Sequence, residues 1–129
     1  MRSIKEPVVW TNLLFFVNAF AWWAVGFPNT AILICLTSIA SFMYHILSER
    51  EPISKGVDVF FAYLALVWTV YVSLKTISVL ELLSVCLVLA VGLWFKSYAH
   101  RTTYENMHTI GHLFVFVGQL LLAKSCFKV

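Results

Sequence analysis

The chain predicts an all-α, polytopic transmembrane helix bundle, and three observations carry that prediction. Of its 129 residues, 61% are hydrophobic and only 12% are charged, where a soluble domain carries about a quarter charged residues. The mean hydropathy is +0.88. The apolar residues come in blocks, and a helix of ~20 mostly apolar residues crosses the ~30 Å of bilayer hydrocarbon. This composition excludes a soluble enzyme and a disordered chain. Nine basic against six acidic residues give a net charge of +3. They are scattered, and no nucleic-acid surface is expected.

Five spans are expected within one domain covering residues 1–129. The first runs from Val8 to Phe27 and keeps its place as a span despite the basic Arg2 and Lys5 before it. Its apolar run is too long for a signal-peptide core, and Trp22, Trp23 and Phe27 stand where a cleavage site needs small residues. Trp10 at one end and Trp22 and Trp23 at the other suit interfacial anchoring. Gly26-Phe27-Pro28-Asn29 reads as a helix stop and turn, which opens the second span, Thr30 to Leu47. Ser48 to Gly56, with Glu49, Arg50, Glu51, Pro52 and Lys55, reads as a solvated loop before the third span, Val57 to Leu74. Lys75 marks a tight hairpin into the fourth, Thr76 to Phe95. Lys96 to Asn106 is the longest polar segment, and it leads to the fifth span, Met107 to Phe127.

Orientation follows from the basic residues. Arg2, Lys5, Arg50, Lys55, Lys96 and Arg101 fall on the side of the N-terminus, against Lys75, Lys124 and Lys128 on the other. The excess places the N-terminus in the cytoplasm. Cys35, Cys86 and Cys126 are odd in number, far apart and set in apolar runs. They form neither a disulfide framework nor a CxxC metal motif and read as small hydrophobes within helices.

An ionisable group at mid-membrane costs roughly 2.5–3.5 kcal/mol on insertion scales, so each one requires a reason. Glu81 lies near the start of the fourth span and can reach the headgroups. His100 sits in a polar loop, and Asn12 and Asn18 read as interhelical hydrogen-bonding residues. His45, Asp58, His108 and His112 differ, because alternating spans bring all four to one membrane face. His108 and His112 are four apart and share one helical stripe, with ~5–6 Å between their Cβ atoms. Two histidines at that spacing can bind one metal ion. Ser41 lies one turn deeper than His45 on the same stripe. Three imidazoles can hold zinc with one position open, and zinc brings the pKa of a bound water toward ~7. Asp58 would then be the proton acceptor and Ser41 a donor to the oxygen of a polarised carbonyl. The same residues also admit a plain reading, as interfacial hydrogen-bonding groups near helix ends.

The order SxxxH, Asp, HxxxH resembles a known superfamily of membrane hydrolases. It includes alkaline ceramidases, adiponectin and progestin receptors, hemolysin III-type proteins and GPI-remodelling lipid hydrolases. The segments that carry the resemblance are Ser41-Phe42-Met43-Tyr44-His45, Asp58 within Gly56-Val57-Asp58-Val59-Phe60-Phe61, and His108-Thr109-Ile110-Gly111-His112. The resemblance implies that His45, His108 and His112 bind zinc, with Ser41 and Asp58 flanking the reactive water. It covers about half of the chain. Family members typically have seven spans and this chain has five. Loss of two helices between the Asp helix and the HxxxH helix preserves which face the site occupies but removes cavity wall. The calcium site of the ceramidases has no counterpart here, as Glu6, Trp10 and Asn12 form no acidic cluster.

Three functions follow as alternatives. The first is a zinc-dependent hydrolase of an amide or ester bond in a membrane lipid, ceramidase-like or phospholipase-like. The second is a non-catalytic membrane protein whose His/Asp cluster, with or without metal, braces the helices. The third is a b-type haem protein with His45 and His112 as axial ligands, which leaves His108 and Asp58 unexplained. The lipid and the organelle are open, as is whether two copies complete a larger bundle.

Overall fold

The computed structural model describes residues 7–47, 52–99 and 104–127, with side chains for 9–46, 52–95 and 109–127. Five helices follow one another: α1 (Pro7–Ala24), α2 (Pro28–Leu47), α3 (Pro52–Thr76), α4 (Val79–Ala99) and α5 (Tyr104–Phe127). No strand occurs among the described residues. The protein is an all-α helical membrane bundle. Pro28–Ile46, Pro52–Thr76 and Thr109–Phe127 are long and apolar enough to span a bilayer, and Val9–Ala24 and Val79–Phe95 are shorter apolar helices.

Its polarity runs outward. Phe20 and Leu80 are 73% and 76% exposed, whereas Asn12, Asn18, Ser38, Thr69 and Ser73 are fully buried. Such a surface would aggregate in water, and in lipid it is the solvated face. The interior groups are polar because lipid provides no hydrophobic drive to bring helices together. Helix contacts there rest on close packing and hydrogen bonds. Ser38 donates to the backbone carbonyl of Asn12 (2.6 Å), tying α2 to α1, and the Asn18 amide donates to the carbonyl of Phe116 (3.2 Å), tying α1 to α5.

The first connection is built by local chemistry. Gly26 has φ +90, a region open to glycine at little cost. The amide of Gly26 donates to the carbonyl of Trp23, and that of Phe27 to the carbonyl of Trp22, both at 3.0 Å. This is a Schellman ending, which is commonly accompanied by an apolar contact across the turn. Here Phe27 stands edge-on to Trp22 at 5.7 Å. That contact explains why Trp22 is fully buried while Trp23 and Trp10 stay exposed. The expected interfacial role of Trp22 is therefore corrected to a core role. Pro28 then starts α2, where its missing N–H costs nothing.

Helices also extend past their apolar windows. α3 begins at Pro52, within the expected Ser48–Gly56 loop, and α4 runs to Ala99, into the expected polar segment. A polar turn can continue a helix outside the hydrocarbon, and Pro at the first helical position favours an early start. Asp58 thus lies almost two turns into α3 rather than at its beginning. Glu81 is exposed in the first turn of α4. Its carboxylate accepts from the Ser78 hydroxyl (3.0 Å) and amide (3.4 Å), while the Glu81 amide donates to the Ser78 hydroxyl (3.3 Å). This Ser-x-x-Glu capping box satisfies backbone donors at the helix start and accounts for Glu81 without a site.

The helices form an arc in the order α3–α2–α1–α5–α4. Each neighbouring pair along it packs extensively, and α3 touches α4 and α5 only lightly. The apolar core, including Trp22, Ala31, Leu82, Leu122 and Cys126, lies toward the end that holds the α1–α2 turn. Cys126 is buried, Cys35 and Cys86 are half-buried, and all three are free thiols.

Candidate functional site

A cavity of about 330 Å³ opens inside the arc, toward the end opposite that core, and all five helices line it. Its polar wall comes from Ser41 near the end of α2, Asp58 near the start of α3 and His112 in α5. The short connections make successive helices antiparallel, so these three positions share one end. Below them the lining is mainly apolar, with Phe15, Leu66, Leu89, Leu93 and Val115, and Gln119 lies deeper. On α5, Gln119 is two turns beyond His112, about 10 Å along the axis.

His45 and His112 are 1% and 5% exposed, and their ring centroids lie 5.8 Å apart at an interplanar angle of 70°. The ring of Tyr44 flanks His45 at 4.9 Å. His112 is held by α1: Thr11 Oγ1 lies 3.1 Å from its Nδ1, and Phe15 meets its ring edge-on at 5.9 Å. Asp58 is 3% exposed and makes no hydrogen bond or ion pair among the described residues. A buried ionised carboxylate without compensation costs several kcal/mol. Asp58 lines the cavity with no such compensation among the described residues. The hydroxyl-bearing residues Ser41 and Thr37 line the same cavity.

Four of the five expected site residues can be placed. Ser41, Asp58 and His112 share the cavity wall, and His45 packs against His112. His108 belongs to the first turns of α5, and its side chain lies outside the described residues, as does all of His100. Among the described residues, no group of three or more His, Cys, Asp or Glu side chains is close enough to hold a metal ion. The centroid separation of the two described imidazoles falls within the range of two ligands to one ion. Zinc–nitrogen bonds of ~2.0–2.1 Å leave the ring centroids of two ligating histidines about 5–6 Å apart.

Sequence reasoning missed Thr11, Phe15 and Gln119. Gln119 carried a readable signal, a lone amide within the apolar run of the fifth span, where an unpaired polar group is costly. It is 4% exposed, and its Nε2 donates to Thr69 Oγ1 (3.1 Å). The Thr69 hydroxyl itself donates back to the carbonyls of Ala65 and Leu66. Its lone pair is therefore what faces Gln119, which fixes the orientation of the amide.

Fold and site together define a helical membrane protein with a mainly apolar cavity among its helices that carries a carboxylate at one end. No family model, curated protein or solved structure matches the chain.

Proposed function

We propose that the protein is a zinc-dependent hydrolase of an amide or ester bond in a membrane lipid, related to the ceramidase and receptor superfamily that its motif resembles. The observation that carries the reading is Asp58, a buried carboxyl with no hydrogen-bond partner among the described residues, which lines one cavity with Ser41 and His112. His45, His112 and His108 would hold the metal. Held there, zinc would supply a charge of two to offset the buried carboxylate and the Lewis acidity that activates water at neutral pH.

The chain's own residues do the rest. The Asp58 carboxylate accepts a proton from the attacking water and returns it to the departing amine or alcohol oxygen. The Ser41 hydroxyl donates to the carbonyl oxygen as charge develops on it. The apolar lining from Phe15 to Leu93 excludes water and takes an acyl chain. The acyl chain enters from the bilayer between α3 and α4, which touch only lightly. The site-bearing end faces the cytoplasm, because six of the nine Lys and Arg residues lie on that side.

Metal content and lipid hydrolysis, measured on the same detergent-purified samples, test the reading. The wild type is expected to carry zinc and to cleave members of a panel of N-acyl and O-acyl lipids. His45→Ala and His112→Ala are expected to lose the metal. A wild type that carries no zinc and cleaves no lipid overturns the proposal. Orientation is tested separately by Ile53→Cys, an exposed position near the start of α3, with Cys35, Cys86 and Cys126 replaced by Ala. An impermeant thiol reagent should label it only after sealed right-side-out vesicles are opened, and labelling before that reverses the orientation.

A further inference from the structure

We infer that Thr11 is a positioning residue for His112, and that α1, which supplies none of the reacting groups, sets which ring nitrogen of His112 serves the site. The inference rests on the zinc reading above but is carried by separate observations. Thr11 is 7% exposed, and its Oγ1 stands 3.1 Å from His112 Nδ1. Phe15, one turn further along α1, covers the edge of the same ring. Residues four apart on a helix project from one stripe, so a single face of α1 grips the imidazole by a hydrogen bond and an aromatic contact. His45 closes a third side at 5.8 Å.

The chemistry of imidazole gives this grip its consequence. A neutral ring carries a proton on one nitrogen and a lone pair on the other, and only the lone pair binds metal. With Nδ1 at the Thr11 hydroxyl, the metal-binding tautomer has Nδ1–H donating to Oγ1 and the lone pair on Nε2. Ligating histidines nearly always use the second nitrogen in this way, toward a carboxylate, a carbonyl or water. Loss of such a partner typically costs 10–100-fold in metal affinity. Thr11 places a hydroxyl in that role. The hydroxyl is fixed by burial and by its helix, so the ring is oriented before any ligand arrives.

The test compares Thr11→Val, which keeps the shape and removes the hydroxyl, with Thr11→Ser, which keeps the hydroxyl. Zinc affinity is measured by chelator competition, and the tautomer of His112 is read from its ring ¹⁵N shifts in zinc-free, detergent-solubilised protein. Thr11→Val should bind zinc about 10–100-fold more weakly and shift the Nδ1 ¹⁵N resonance of His112, which loses its hydrogen bond in either tautomer. Thr11→Ser should restore both. Should Thr11→Val fail to fold, Thr11→Ala enters the same two measurements. A Thr11→Val protein with wild-type affinity and an unchanged ¹⁵N pattern overturns the inference. If the wild type binds no zinc, the hydrolase reading fails while the ¹⁵N pattern alone still decides the role of Thr11.

Discussion

α3 and the α4–α5 pair are built on opposite principles. Along the α4–α5 seam the backbones meet at glycines. A Cβ on Gly92 would stand 2.9 Å from Phe114 Cβ and 3.1 Å from the carbonyl oxygen of Gly111. One on Gly118 would stand 2.5 Å from Leu89 Cδ2. Close approach of this kind is how helices associate in lipid, through van der Waals contact between small residues. α3 instead buries Asp58, Ala65, Thr69 and Ser73, a stripe of small and polar side chains. It is tied by hydrogen bonds: Thr37 donates to the carbonyl of Phe61 (3.1 Å), Trp68 to Thr30 (3.0 Å) and Gln119 to Thr69 (3.1 Å). The seam is a scaffold of close backbone contact, and α3 is the cavity wall that bears Asp58.

If that division holds, the two regions respond to different measurements. The largest effect is expected at Asp58. Loss of a general base typically costs ~10²–10⁴ in rate, so Asp58→Asn should nearly abolish lipid hydrolysis while the protein stays folded and keeps its zinc. Ser41→Ala should lose ~10²–10³, the usual cost of an oxyanion donor. Turnover by Asp58→Asn at the wild-type rate would break the assignment of chemistry to α3.

Stability should respond in the reverse pattern. Gly92→Ala forces a methyl against a backbone oxygen and a Cβ, neither of which can rotate away. Overpacking of this kind typically costs ~1–3 kcal/mol, read as a lower midpoint for unfolding in mixed micelles. Gly118→Ala should cost less, because its obstacle is the side chain of Leu89, which can change rotamer. Equal losses at the two sites would mean that the seam yields as a whole. On the α3 side, Gln119→Leu removes one interhelical hydrogen bond. Such bonds average ~0.6 kcal/mol in membrane proteins and reach ~1.7, so this loss should fall below that of Gly92→Ala.

Much of this division was legible in the sequence. The apolar blocks and the Gly26-Phe27-Pro28 stop show where the helices lie, because burial in lipid and glycine or proline chemistry act over a few residues. His45, Asp58 and His112 stand out because an ionisable group inside a span is expensive, and Ser41 stands out by its four-residue spacing from His45. Thr11 does not, since threonine is common within membrane helices. Only the parallel packing of α1 against α5 turns it toward His112. Trp22 was misassigned for a related reason: a tryptophan near a helix end suits an interface, and the contact with Phe27 that draws it inward depends on the turn geometry. The early start of α3 also lies beyond hydropathy, which registers the hydrocarbon and not the helix that continues outside it.

The smallest effect sharpens the comparison most, because its sign is opposite. Gly56 lies in α3, its φ is not positive, and a Cβ built on it meets nothing within 4 Å. It therefore has neither of the two uses that make glycine necessary, a left-handed backbone or a close approach. In an exposed helical position, alanine removes conformational freedom from the unfolded chain and stabilises by about 0.4–1 kcal/mol. Gly56→Ala should thus raise the unfolding midpoint, whereas the same substitution at Gly92 lowers it. The two variants differ by one methyl each, so composition cancels and only the packing of the two regions remains. If Gly56→Ala raises stability and leaves hydrolysis intact, α3 is a continuous helix from Pro52 through the site. If it raises stability while slowing turnover, the glycine serves motion of the wall that bears Asp58, two residues on. A fall in stability at Gly56 would mean that something packs against the start of α3, and the wall would then not be the loosely held element that the contrast requires.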